Sequence, residues 1–310
     1  MNYPVPPYGV VPPPPKSNMK KILIIVGIIV GLIIVIGIIA VALGVGLGVG
    51  LSRNKDDSSS SSSISCTYGG SSTCGCSAVQ PSFLSSKIYQ GYTATANSWP
   101  WMVALYISDN RTFCGGFLID YQHVVTAAHC VISATGTSRV YAGLQTLSSR
   151  NSAQSRVISK IDTHPSYSTS TYINDIAVVT LESPFDQTST VGKCCMTSDT
   201  SLPSLNEHGV IIGWGQPSSS VTTVSNELLQ GVIQVQAASV CSSSAISTRF
   251  CAGYSGTDAC FGDSGSPFMT SVNNLWTCTG VVSAGRGCGV ATLYTRVSSY
   301  QTFINGIING

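Results

Sequence analysis

Residues 259–268 read Ala-Cys-Phe-Gly-Asp-Ser-Gly-Ser-Pro-Phe. Gly, Asp, Ser and Pro are the common residues of surface turns, and one reading of this stretch is no more than that. The other reading is a nucleophile. Ser264 would sit on a tight turn, with Gly262 letting backbone N–H groups approach a substrate oxygen. These ten residues alone leave both readings standing. A serine hydroxyl is a poor nucleophile until a base takes its proton, and the base works best when a carboxylate fixes its tautomer. The second reading therefore requires a histidine and an aspartate elsewhere.

The chain holds four histidines, His123, His129, His164 and His208. His129 stands in Val-Val-Thr-Ala-Ala-His-Cys, residues 124–130, where small neighbours and a cysteine would hold the imidazole against a barrel wall. Asp175 opens an apolar run in Asn-Asp-Ile-Ala-Val-Val-Thr-Leu, residues 174–181. A single histidine beside such a strand is more often structural than catalytic. The three segments together favour a catalytic triad.

In that order, VVTAAHC, NDIAVVTL and GDSGSP resemble the chymotrypsin/trypsin family of serine proteases, and the similarity runs from about Cys74 to the C-terminus. The resemblance implies an all-β fold of two six-stranded antiparallel β-barrels with the active site between them. It makes Ser264 the nucleophile, His129 the base and then acid, and Asp175 the orienting carboxylate, supported by Ser283. The N–H groups of Gly262 and Ser264 would form the oxyanion hole. Asp263 would pair with a new N-terminus at Ile88, released by cleavage after Lys87 in Lys-Ile-Tyr-Gln-Gly; Tyr89 and Gln90 depart from the usual Ile-Val-Gly-Gly. Asp258 would form the base of the primary specificity pocket, with Gly285 keeping one wall open and Thr292 partly filling the slot. These residues imply a serine endopeptidase that cuts after Lys or Arg. Ser266 replaces a usual glycine, and Ala284 stands where a tryptophan normally lines the substrate channel.

Twelve cysteines, all after residue 65, point to disulfides and an oxidising compartment. Zinc is a poor alternative, because the one Cys-x-Cys is Cys74-Gly75-Cys76 and no His pair has ligand spacing. The family resemblance implies Cys114–Cys130, Cys241–Cys251, Cys260–Cys288 and Cys74–Cys195, and leaves Cys66, Cys76, Cys194 and Cys278 without assignment. No Asp or Glu lies between Cys130 and Asp162, so the calcium loop of many trypsins is not expected; neither metal nor cofactor is implied.

The 310 residues are 43% hydrophobic and 9% charged, with a formal net charge of +2. A nucleic-acid surface needs clustered Lys and Arg, which this chain lacks. Residues 22–51 contain no charge, and about 20 apolar residues suffice to span a bilayer. A signal peptide has an apolar region of only about 7–15 residues. The run is therefore read as a signal-anchor transmembrane helix. Its N-terminal tail would be cytosolic, because Lys16, Lys20 and Lys21 precede it and the disulfides lie after it. The division is a Pro-rich tail (1–21), a membrane anchor (22–51), a Ser-rich stalk (52–65), a Cys-containing propeptide (66–87) and a peptidase domain (88–310). Asn110 is the one N-glycosylation sequon. Expected partners are protein or peptide substrates, the membrane, and an activating protease. The alternatives are a catalytically silent homologue acting as a cell-surface binding protein, and a secreted digestive protease that loses its apolar segment.

Strand-like runs of Val, Ile, Thr and aromatics recur at FLIDYQHVVTA, RVYAGL, DIAVVTL, GVIIGW, LLQGVIQVQ, LWTCTGVVSA and ATLYTRV. Only residues 297–308 show helical spacing, with Val297, Tyr300, Phe303, Ile304 and Ile307 on one face.

Overall fold

The computed structural model describes residues 66–68, 74–83, 91–109, 112–241, 246–253, 256–285 and 287–310. The tail, the anchor, the stalk, Lys87, Ile88 and Asn110 lie outside the described residues. No helix among the described residues is long and apolar enough to cross a membrane.

The short strand β1 (Tyr92–Thr93) leads into a first barrel, formed by β2 (Met102–Ile107), β3 (Thr112–Leu118), β4 (His123–Thr126), β5 (Arg139–Ala142), β6 (Gln154–Thr163) and β7 (Ala177–Leu181). These close in the order β2-β3-β4-β7-β6-β5. The second barrel uses β8 (His208–Gly213), β9 (Leu229–Gln236), β10 (Arg249–Gly253), β11 (Pro267–Val272), β12 (Leu275–Ala284) and β13 (Thr292–Arg296). Its order is β9-β10-β13-β12-β11-β8, closed by β8 pairing with β9, while β1 extends the edge of β9. All these pairings are antiparallel. Closure removes the free sheet edges that would otherwise invite aggregation. The fold is two six-stranded antiparallel β-barrels with a C-terminal helix, Gln301–Ile308.

Alternation along the strands fills each barrel from inside. Leu105, Leu118, Val124 and Val179 share one face in the first, with Phe117 and Val178 buried on the other; Ile233, Phe250, Phe268 and Tyr294 pack the second. Burying each such side chain contributes about 1.5–3 kcal/mol. Trp101, wholly buried, points its indole N–H at Met269 Sδ, 3.0 Å away, and so joins the two barrels.

Two elements differ from the sequence reading. The run FLIDYQHVVTA contains the end of β3 and all of β4, broken by a turn. The Asp120 carboxylate takes the backbone N–H groups of Gln122 and His123, both at 2.7 Å, and ends the first strand there. In the expected helix, Val297–Tyr300 form a tighter 3₁₀ turn before the α-helix begins at Gln301.

Six disulfides staple the fold: the four pairs named above, plus Cys66–Cys76 and Cys194–Cys278. Residues 74–83 dock on the second barrel. Gly75 donates to Lys193 O at 2.8 Å and accepts from Trp276 N at 2.9 Å. Its φ of 66°, and the collision a β-carbon would make with the Trp276 carbonyl, require glycine there. Phe83 sits 6.0 Å from Trp276 and 6.4 Å from Trp99. Ser82 O accepts from Gln230 Nε2 at 2.9 Å and from the Tyr92 hydroxyl at 3.2 Å. Both flanks of residues 84–90 are therefore pinned beside the start of β9.

Candidate active site

His129 lies in the one-turn helix Ala128–Val131 that follows β4. The turn is held by fully buried Ala127 and Ala128 and by the Cys114–Cys130 bridge to β3. Asp175 lies two residues before β7, which starts at Ala177, and it is fully buried. A buried charge needs several donors to replace water. Asp175 has them: Oδ1 accepts from the His129 backbone N–H at 2.9 Å, while Oδ2 accepts from His129 Nδ1 at 2.8 Å and from Ser283 Oγ at 2.6 Å. The bond to a carboxylate puts the imidazole proton on Nδ1 and leaves Nε2 as the basic atom. The Asp175 carbonyl accepts from Thr295 Oγ1 at 2.8 Å, which ties the loop to β13 of the other barrel.

Ser264 is carried on a turn fixed to both barrels. Its carbonyl accepts from Gly115 N of β3 at 2.8 Å, and the next residue, Gly265, donates to Val282 O of β12 at 2.9 Å. Gly265 has φ 82°, and a β-carbon there would strike Thr126 Oγ1 and the Gly115 carbonyl. The glycine after Ser264 is thus a consequence of two barrels meeting at one turn. His129 and Ser264 line the same cleft of about 240 Å³, with Ser283, Gly285 and Thr292 further along it.

Asp263 points the other way, into a second cavity of about 200 Å³ lined also by Gly91, Gly213 and Gly215. Its carboxylate accepts from Gly215 N at 2.8 Å and Cys260 N at 2.9 Å. Burial pushes its pKa up to about 6, against the pull of those two N–H groups. A β-carbon at Gly213 or Gly215 would collide with the carboxylate. These two glycines were not singled out from the sequence; the only trace is Gly-Trp-Gly at 213–215.

Asp258 lines this second cavity and not the catalytic cleft. Thr292 stands between, its hydroxyl donating to Asp258 Oδ2 at 2.8 Å. Burial pushes Asp258 up to about 8, eased first by the Thr292 bond. A β-carbon on Gly285 would lie 2.8 Å from Thr292 Oγ1, so these residues face each other across the slot.

Two aromatic residues at the cleft carry no signal in the sequence. Tyr172, at φ 53°, meets the His129 ring edge-on with centroids 5.6 Å apart. Phe261 lines the same cleft and is 67% exposed, large for an aromatic side chain. Ser266 is fully buried and packs against Gly115, whose lack of a β-carbon makes room for it.

The trypsin family profile matches residues 88–304. The chain belongs to the trypsin family. It is 36% identical to chymotrypsin-C of Bos taurus over 253 residues, which covers 76% of this chain and 93% of the bovine protein. It is 30% identical to transmembrane protease serine 5 of Homo sapiens over 256 residues, 78% of this chain. That alignment spans 56% of the human protein, so the chain matches little more than half of it. The six disulfides fit an oxidising, extracellular or luminal setting.

Proposed function

We propose that this trypsin-family chain is an active serine endopeptidase, made as a zymogen and cutting after Lys or Arg. The observation that carries the reading is the Ser264 turn, pinned to both barrels beside a His129–Asp175 pair that opens on the same cleft.

With its Nδ1–H bonded to Asp175, His129 takes the Ser264 proton at Nε2 as Oγ attacks the substrate carbonyl. Asp175 stabilises the resulting imidazolium without becoming protonated. The Gly262 and Ser264 N–H groups receive the oxyanion, and losing one such donor costs about 2.7–4 kcal/mol of barrier. His129 then protonates the leaving amine, and water repeats the sequence on the acyl-enzyme. A silent homologue usually lacks a triad member, and here all three residues are present.

Activation follows from Asp263. A buried carboxylate whose donors are two backbone N–H groups is a strong site for an ammonium. Cleavage after Lys87 would create one at Ile88, three residues before Gly91 at the cavity wall. Residues 1–87 would remain attached through Cys74–Cys195, and residues 22–51 would hold the enzyme on the membrane with its catalytic domain outside.

Matched peptides ending in Lys, Arg, Phe and Ala, tested on the cleaved chain, check the reaction and its basic preference. Cleavage chiefly after Phe or Ala overturns the preference, and no cleavage of any peptide overturns the enzyme reading.

A further inference from the structure

The geometry points to the Thr292 hydroxyl, rather than the Asp258 carboxylate, as the group that meets the substrate's basic side chain, which makes the enzyme selective for Lys over Arg. This inference rests on the proposed peptidase activity and on its preference for basic residues.

Three observations carry it. Asp258 is withdrawn from the catalytic cleft and lines the neighbouring cavity with Asp263, whereas Thr292 lines the cleft itself. The Thr292 hydroxyl hydrogen is already committed to Asp258 Oδ2 at 2.8 Å, so the lone pairs on its oxygen remain to accept from the slot side. Thr292 and Gly285 oppose each other closely enough that a β-carbon on Gly285 would reach 2.8 Å from Thr292 Oγ1. The slot is thus narrowed at the level of this hydroxyl.

A Lys ammonium is a compact charge that needs one acceptor at a time. It fits a single oxygen polarised from behind by a carboxylate. An Arg guanidinium is a planar fork that reaches full strength only by bonding two oxygens at once. Here that pairing is closed off. Oδ2 accepts from Thr292, which lines the cleft where Asp258 does not, and Oδ1 is buried, so a fork would have to pass the threonine to reach both oxygens. The Ala259 N–H and the Tyr294 hydroxyl lie near the carboxylate and ease its charge, but neither completes a hydrogen bond to Oδ1. Asp258 therefore acts through Thr292, by orienting and polarising its hydroxyl.

The test uses the full chain with its disulfides intact, cleaved after Lys87 by an immobilised Lys-specific peptidase that is then removed. Active enzyme is counted by fluorophosphonate labelling, so a poorly folded variant does not distort the rates. The wild type is expected to cleave matched Lys peptides at least about tenfold faster than Arg peptides in kcat/KM, the scale of one charge-assisted hydrogen bond. Thr292→Ser keeps the hydroxyl and should keep the ratio. Thr292→Val keeps the bulk and removes the acceptor, and Lys cleavage should fall at least about tenfold. Thr292→Gly opens a direct path to Asp258 and should bring the ratio to about one or below, by raising Arg cleavage.

Equal rates on Lys and Arg in the wild type overturn the inference and leave the basic preference intact. So does a Thr292→Val enzyme that cleaves Lys peptides as fast as wild type, or a Thr292→Ser enzyme whose ratio collapses. A labelled enzyme that prefers Phe or Ala overturns the basic-pocket reading and this inference with it. Absence of label at Ser264 overturns the enzyme reading on which both rest.

Discussion

Asp175→Asn changes one atom and leaves the shape of the site unchanged, yet it should nearly abolish turnover. Asp175 Oδ1 faces the His129 backbone N–H at 2.9 Å; Oδ2 faces His129 Nδ1 at 2.8 Å and Ser283 Oγ at 2.6 Å. The backbone N–H can only donate, so an asparagine must keep its carbonyl oxygen on that side; the reverse would strand a buried donor at a cost of about 1–3 kcal/mol. The amide NH₂ then points at Nδ1 and Ser283. Ser283 adapts by rotating its hydroxyl to accept. His129 adapts by moving its proton to Nε2, so the atom that should take the Ser264 proton already carries one. Inverting the tautomer in such a triad lowers kcat by about 10⁴, or about 5.4 kcal/mol at about 1.36 kcal/mol per tenfold. The assay is steady-state hydrolysis of a Lys peptide, corrected for active sites by burst titration, with the melting temperature measured in parallel. A near-native melting temperature with a loss of about 10⁴ is expected. A loss below about tenfold in a folded variant would refute the tautomer argument.

Three further outcomes are expected, two from the site and one from the sequence. Because burial pushes Asp258 up from 3.8 to about 8, its charge is complete only above that pH. Lys-peptide kcat/KM should therefore rise with pH through about 8, a limb that an Ala peptide lacks and that Asp258→Asn removes. The sign for stability is opposite. A carboxyl raised on folding stabilises the uncleaved chain below 3.8, and that contribution is lost as pH rises through about 8. Asp258→Asn should thus match the wild-type melting temperature at pH 3.5 and exceed it at pH 9; equal values at both would contradict the buried-charge account. For topology, protease added to intact cells should remove the catalytic domain and spare residues 1–21; digestion of the tail with protection of the domain would reverse the assigned orientation.

The site was legible where chemistry demands short contiguous words. Ser264 needs glycines around it and His129 needs small neighbours, and both requirements are written within ten residues. The strands legible from sequence were those dense in Val, Ile and Thr: β12 coincides with LWTCTGVVSA, and β9 and β13 fall within a residue of their runs. Those missed include the apolar β2, Met-Val-Ala-Leu-Tyr-Ile, which was passed over, and others that are polar or interrupted. In β6, Gln-Ser-Arg-Val-Ile-Ser-Lys-Ile-Asp-Thr mixes charges into both faces, and β11 opens on a proline. What no local reading reaches is contact made at long range. Gly213 and Gly215 are required by a carboxylate about fifty residues later, and Cys194 meets Cys278 across a separation of 84. Asp258 was the harder case. The resemblance placed it at the base of a basic pocket with Thr292 partly filling the slot, but only the folded chain shows the Thr292 hydroxyl bonded to its carboxylate.

The most direct measurement is fluorophosphonate labelling of the full chain, before and after cleavage at Lys87, with the adduct located by mass spectrometry. A phosphonylated serine reports an activated nucleophile with a formed oxyanion hole, independent of any substrate. The account predicts one adduct, on Ser264, appearing only once Ile88 is released. Lys87→Ala should stay unlabelled while folding normally, because Asp263 then never gains its ammonium. An unlabelled Ser264 in the cleaved chain, or equal labelling of the Lys87→Ala chain, would contradict it.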